Sequence, residues 1–201
     1  RPGSPCAVPP NSTSLMKNGL IYQAKFNSGD WSGQLLSIPI NSAGTLGATE
    51  WEAGSVSLAP ATVNSTSRVV ITKGSTDGVA FEYANLTAAQ KTLLDKNAAG
   101  SVDNCGLERV AFLRGSSTNE GSSGTFSCAS ATAVNKFRSR TTSKLGDIIN
   151  SGPFYVGKPS AGYSNVDHAG YAAFSAAYKN RLPMVYVGSN DGALHLSLKQ
   201  I

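Results

Sequence analysis

The chain has 201 residues, of which only 14% are Asp, Glu, Lys or Arg, and it is formally +5 at pH 7. That length suits one domain with a real core, and a charged fraction about half the usual quarter is common in secreted and cell-surface β proteins. The cations are scattered, which argues against a nucleic-acid site. No stretch has the length of a membrane span or the apolar core of a signal peptide.

Residues 1–14, rich in Pro, Ser and Asn, read as an extended linker, and the opening Arg1-Pro2-Gly3-Ser4-Pro5 resembles the inside of one more than a natural N-terminus. Residues 20–26 alternate as a strand, 27–30 are a turn and 32–40 a second strand, with Trp31 just past the turn. A second unit begins near Trp51, with a short strand at 56–58 and a β-branched one at 68–73. Thr87-Ala88-Ala89-Gln90 is a capping-box pattern that predicts a helix over 88–95, with Leu93 and Leu94 facing inward. Residues 97–106 read as loop and 109–113 as a strand. After the Ser/Gly/Thr-rich stretch at 115–125, residues 144–157 suggest a strand entered through Gly152-Pro153. Asp167 is placed to cap a helix over 168–180, where Tyr171, Phe174 and Tyr178 recur at helical spacing.

The end of the chain is the most specific part. Residues 184–188 (Met-Val-Tyr-Val-Gly) meet a tight turn at Asn190-Asp191-Gly192, and a second run covers 193–198, which together predict a β-hairpin. Such a hairpin is the outer signature of a propeller blade. The expected fold is therefore mainly β: partial β-propeller-like antiparallel sheets with two short helices over residues 15–201. A blade that begins this late does not belong to a propeller completed within these residues.

Chemistry-bearing residues are few. Cys105 and Cys128 flank the low-complexity excursion, and a disulfide between them closes a loop over 115–128, worth about 3 kcal/mol by loop entropy. Cys6 is then left for missing chain or another molecule. His168 and His195 are too isolated for a metal site, and both read as structural or solvent-facing. Asp30, Asp77, Asp103, Asp147, Asp167 and Asp191 all neighbour turn residues, which gives them turn and capping roles. Asn190-Asp191-Gly192 supplies two oxygen ligands and stops, so it is no calcium loop. Arg114-Gly115-Ser116 lacks the carboxylate of an Arg-Gly-Asp adhesive tripeptide. Asn11, Asn64 and Asn85 lie in sequons that chance explains in so Ser/Thr-rich a chain. No nucleophile elbow, zinc-protease, P-loop or dinucleotide signature occurs. Residue by residue, the chain reads as a non-enzymatic binding or assembly module without a cofactor.

Several segments, in order, resemble the conserved C-terminal region of the PilY/PilC family of type IV pilus biogenesis factors and tip adhesins. Residues 22–36, containing Asp30-Trp31-Ser32-Gly33, look like the family's opening strand pair. Residues 68–72 and 81–86 resemble its next element. Residues 109–115, ending Leu113-Arg114-Gly115, resemble its "yLRG" segment. Phe137-Arg138-Ser139-Arg140, then Leu145-Gly146-Asp147-Ile148-Ile149-Asn150-Ser151, then residues 183–195 with Asn190, Asp191, Gly192 and His195, are similar to "FR.R", "LGDI.NS.P" and "MVYVG.NDG.LH".

The resemblance implies a modified propeller with a role in pilus extension, at the tip or the outer-membrane exit, and in surface adhesion. It implies pilins or minor pilins and a host or abiotic surface as partners, and an extracellular, pilus-associated location reached through the periplasm. The family continues past "LH" into further blades, and its calcium loop lies in those, so calcium does not carry over. An open sheet edge invites self-association or a complementing chain, alongside Cys6. Two alternatives stand beside this reading. One is an extracellular structural protein polymerising through open edge strands. The other is a quinoprotein-like propeller fragment, since "VYVGSNDGALH" also resembles blades of quinone-dependent dehydrogenases; Trp31 and Trp51, in turn contexts, do not suit a quinone cradle.

Overall fold

The computed structural model describes residues 6–8, 19–54, 66, 68–121 and 137–198. In chain order these residues form β1 (Cys6–Val8), β2 (Leu20–Asn27), β3 (Ser32–Pro39), β4 (Trp51–Glu52), β5 (Ile71–Lys73), β6 (Gly78–Ala80), a 3-10 turn (Tyr83–Asn85), α1 (Ala88–Leu94), α2 (Gly106–Leu113), β7 (Phe154–Val156), α3 (Tyr171–Ala177), β8 (Met184–Gly188) and β9 (Leu194–Leu198). The chain divides into one unit from residues 1–56 with 145–201 and another from residues 57–144. Every sheet among the described residues is antiparallel.

Among its described residues the first unit holds two sheets, β1-β2-β3-β4 and β7-β8-β9. The β2–β3 hairpin matches the sequence reading, with register running from Leu20 opposite Pro39 to Asn27 opposite Ser32. Its turn is built from side chains: Asn27 Oδ1 accepts the Gly29 N–H at 3.0 Å, and Asp30 Oδ1 accepts the N–H and hydroxyl of Ser32 at 3.1 and 2.6 Å. The second closure, an Asx-type turn, holds Trp31 at φ 55°, a left-handed conformation that bulky residues seldom adopt. Strand β2 alternates, burying Tyr22 and Ala24, whereas β3 buries Leu35, Leu36, Ser37 and Ile38 in succession. A strand buried on both faces loses its alternation. Residues 6–8 are strand, paired with β2, where a linker is expected; the rest of residues 1–14 lies outside the described residues.

In the second sheet the final hairpin stands as expected, Gly188 opposite Leu194 and Met184 opposite Leu198. Gly192 takes φ 83° at the turn, which glycine meets without steric cost. The strand expected within 144–157 is short and follows Gly152-Pro153, at Phe154–Val156. The helix expected over 168–180 is shorter. Asp167 does not cap it, because its carboxylate accepts the Ser164 hydroxyl at 2.7 Å. Gly170, at φ 88°, breaks the helical path just before Tyr171. The core here includes Leu145, Ile148, Val185 and Val187, each worth about 2 kcal/mol when fully buried.

In the second unit, the strand expected over 68–73 covers only Ile71–Lys73 and pairs with β6. The capping box of α1 is complete: Thr87 Oγ1 accepts the Gln90 N–H at 3.3 Å, and Gln90 Oε1 accepts the Thr87 N–H at 2.9 Å. Leu93, expected inward, is 71% exposed, while Leu94 is half-buried. Residues 109–113 are not a strand; they lie in α2, which brings the α-helices among the described residues to three. Its N-cap, Cys105, makes no side-chain cap. Instead Asp95 Oδ1 accepts the Gly106 N–H at 3.0 Å, and the Arg109 guanidinium bonds the Leu94 carbonyl at 2.7 Å and the buried Asp103 carboxylate. These tertiary bonds select helix for a segment in which Leu, Glu, Arg and Ala favour helix and Val110 and Phe112 favour strand. The strand expected at 56–58 and residues Asn11, Asn64 and Cys128 lie outside the described residues.

Candidate functional site

Three of the sequence-selected segments meet in the first unit. Ser32 bridges Gly146, and the Gly33 N–H donates to the Leu145 carbonyl at 2.8 Å. A Cβ on Gly33 would stand 2.0 Å from the Gly146 carbonyl oxygen, and one on Gly146 would stand 2.8 Å from Asp191 Cβ. Only glycine fits at either position. The Gly146 N–H donates to Asp191 Oδ2 at 3.2 Å. Asn190 reaches the buried Asp147 twice, backbone N–H to carbonyl at 2.9 Å and side-chain amide to carboxylate at 2.6 Å. Asp30, Trp31, Gly33, Gly146, Asp147, Asn190, Asp191, Gly192 and His195 are thereby drawn into one connected region. Trp31, 51% exposed, stacks on Phe26 with centroids 6.3 Å apart.

At the centre is the Asp191 carboxylate. His195 Nε2 faces its two oxygens at 2.9 and 3.2 Å, the Ala193 N–H donates to it at 3.0 Å, and the Ser189 hydroxyl bonds it as well. Burial works to raise the Asp191 pKa, but these donors, His195 first, hold it well below the ordinary carboxylate range. Ser189, Asp191 and His195 superficially suggest a nucleophilic triad. The order is wrong for one: the carboxylate lies between hydroxyl and imidazole, and Nε2, the nitrogen that would take a proton from a hydroxyl, is occupied by Asp191. The alternation expected of β9 holds, but its inner and outer faces have a particular assignment. The His195 side chain is 9% exposed, while Leu194 and Leu196 face out.

Sequence reasoning placed Ser151 in the "LGDI.NS.P" segment but gave it no role. Its hydroxyl donates to the Gly188 carbonyl at 2.8 Å and accepts the Gly188 N–H at 3.0 Å, tying the segment after Asp147 to the end of β8. It likewise gave no role to Tyr22. This side chain stacks on Tyr155 with centroids 5.7 Å apart, and its hydroxyl is buried with no hydrogen-bond partner among the described residues. Burial, with the nearby Tyr155 and Glu50, raises its pKa to about 12.

In the second unit Arg114 is buried and structural. Its guanidinium donates to the carbonyls of Phe81 and Arg68 at 3.2 and 3.3 Å, and Gly115 follows at φ 115°. Cys105 is completely buried and packed against Phe137. A buried ionic cluster lies nearby in sequence: Glu120 Oε1 is 2.6 Å from both Lys144 Nζ and the Arg140 guanidinium, which also lies 3.7 Å over the Phe112 ring centroid. Burial alone raises the Glu120 pKa, but Lys144 and Arg140 leave it lowered; burial lowers that of Lys144. The Arg140 of the "FR.R" segment was the one available signal for this cluster. Among the described residues, no group of three or more His, Cys, Asp or Glu side chains is placed to hold a metal ion.

Residues 145–200, which carry the Gly146–Asp191–His195 region, match the family model described as the PilY1 beta-propeller domain. A type IV pilus biogenesis factor PilY1 homolog from Xylella fastidiosa (strain Temecula1) is 30% identical over 197 residues, 96% of this chain and 14% of that protein. The type IV pilus biogenesis factor PilY1 of Pseudomonas aeruginosa (strain PAK) is 33% identical over 210 aligned positions, 95% of this chain and 17% of that protein. Over this length the chain is a PilY1 homologue. Its antiparallel sheets agree with part of a PilY1-type propeller, and it spans about one sixth of the length of these PilY1 relatives. No solved structure matches the chain. No helix among the described residues is long and apolar enough to cross a membrane.

Proposed function

We propose that this chain is a non-enzymatic module of type IV pilus assembly and surface adhesion, acting at the pilus tip or the outer membrane after export through the periplasm. The observation that carries the reading is the meeting of the Asp30–Gly33, Leu145–Asp147 and Asn190–His195 segments on one buried contact, in a chain that aligns along nearly all its length with pilus biogenesis factors. Side chains in that region bond one another and the backbone, which suits a scaffold that positions surfaces. Pilins or minor pilins are the partners on the assembly side, and a host or abiotic surface on the adhesive side. Cys105 pairs with Cys128 in this reading, as an oxidising export route permits.

A specific feature favours association through the second sheet as well. On the face opposite Val185 and Val187, the register aligns Phe154, Tyr186 and Leu196 across all three strands. Phe154 and Leu196 are each at least half exposed, and Leu194 extends the patch. Propeller blades pack face to face, so this face suits another blade-like sheet, and a second copy is the self-assembling alternative.

Sheared surface pili from the producing cells, compared by quantitative mass spectrometry with a pilin-deficient strain, test the main reading. Peptides of this chain should be present in the first fraction and depleted from the second. Equal recovery from both would overturn it.

A further inference from the structure

Strands β7 and β8 pair directly, yet residues 157–183 run between them, far more than the two to five residues that usually join such strands. This excursion carries a continuous row of rings. Tyr163 contacts His168 and Tyr171 with centroids 4.3 and 5.3 Å apart, Tyr171 contacts Phe174 at 6.2 Å, and Phe174 contacts Tyr178 at 5.0 Å. Tyr171 is half-buried and the other four are exposed. The row is nevertheless braced. The Tyr171 hydroxyl accepts the Ala161 N–H at 2.9 Å, Asn165 Oδ1 accepts the Ala172 N–H at 3.0 Å, and Arg181 Nε donates to the Gly157 carbonyl. Exposed aromatic surface held in place in this way marks an interaction site.

The charges around the row say what covers it. Residues 157–183 contain three cations, Lys158, Lys179 and Arg181, and one carboxylate, Asp167. Asp167 accepts the Ser164 hydroxyl at the opposite end of α3. Lys179 follows Tyr178 directly, and the Arg181–Gly157 bond brings Lys158 to the same end. The occupant therefore combines faces that stack on aromatic rings with negative charge.

We propose that the row from Tyr163 to Tyr178 binds an acidic polysaccharide. The C–H faces of its sugar rings meet the electron-rich aromatic faces, and its uronate carboxylates pair with Lys158, Lys179 and Arg181. This deepens the adhesive part of the function proposed above and rests on that reading for its biological setting. Single-stranded nucleic acid fits less well. Bases stack on open platforms, whereas neighbouring rings here are inclined by 40° to 71° and partly close one another's faces. A saccharide chain, whose units turn relative to one another, follows a stepped row.

The test is calorimetric titration of the purified full chain with polygalacturonate, with dextran as the neutral control and oligothymidylate as the nucleic-acid control. Polygalacturonate should bind at least about tenfold tighter than either control, and the double variant Phe174→Ala/Tyr178→Ala should weaken it about tenfold, as two ring contacts imply. The variant Lys158→Gln/Lys179→Gln should weaken binding and flatten its salt dependence. Thermal melts of both variants confirm folding. Equal affinity for dextran, preference for oligothymidylate, or binding untouched by both variants would overturn the proposal. Pilus counts on cells carrying Phe174→Ala/Tyr178→Ala separate the two readings: normal pili with lost polygalacturonate binding supports the site, and normal pili in cells lacking the whole chain refutes only the pilus-assembly reading.

Discussion

Gly33 and Gly146 approach so closely that a Cβ built on Gly33 meets the Gly146 carbonyl oxygen at 2.0 Å. The contact fixes the first hairpin against the segment that also carries Asp147, and the far side of Gly146 is filled by Asp191. Residue 146 is thus clamped between backbone on one side and the last hairpin's turn on the other. Gly33→Ala should destabilise the protein by about 3 kcal/mol, since an obstructing main-chain oxygen gives way less than a side chain. Urea unfolding measures this; Gly44→Ala tests the alternative of a general cost of replacing glycine, because its surroundings are open but its φ is 80°.

The Asp191 carboxylate should set part of the acid stability. Its folded pKa is depressed, so its contribution is complete above the unfolded value near 4 and is lost as the pH falls through the folded one. Melting temperatures taken from about pH 5 downward should fall more steeply in the native protein than in Asp191→Asn. Parallel curves would assign the acid limb to other groups.

Tyr22 predicts the opposite limb. Its phenol is held protonated to about pH 12 by burial and by the nearby Tyr155 and Glu50, so stability present below pH 10 is lost as the pH rises through that window. Replacing Tyr22 by Phe removes a buried hydroxyl that has no partner among the described residues. At neutral pH that change should be neutral or stabilising by about 1 kcal/mol, and phenolate absorbance should lose its latest-titrating component.

In the second unit, Glu120→Gln should cost about 3–5 kcal/mol, because it leaves the Lys144 and Arg140 cations buried without their carboxylate. Lys144→Met made in that background should recover much of the loss, and chemical denaturation of the two variants checks it. If Glu120→Gln alone were silent, the cluster would not hold the unit together.

What was legible in the sequence was local. Asn190-Asp191-Gly192 specifies its turn wherever it is placed, and Thr87 with Gln90 marks a helix start without help from elsewhere. The α2 helix was illegible because its first-turn N–H is satisfied by Asp95, eleven residues upstream, and its arginine by Asp103. Nothing within residues 106–113 announces those partners. Asp167 misled for the converse reason, since a good capping residue was already engaged by Ser164. For the candidate site, residue types were readable and their meeting was not. Gly33, Gly146 and Asp191 look like three separate turn residues until the fold sets them in contact, and the inward turn of His195 depends on which face of β9 is covered.

The central claim, that the Gly33–Gly146–Asp191 contact belongs to a pilus assembly module, is tested most directly by counting surface pili on cells whose own gene encodes Gly33→Ala. Electron microscopy should show pili lost or sharply reduced, while cells carrying the tolerated change Tyr22→Phe keep the native number. Native piliation with Gly33→Ala, at a level where the variant protein is verified to be unfolded or degraded, would contradict the account.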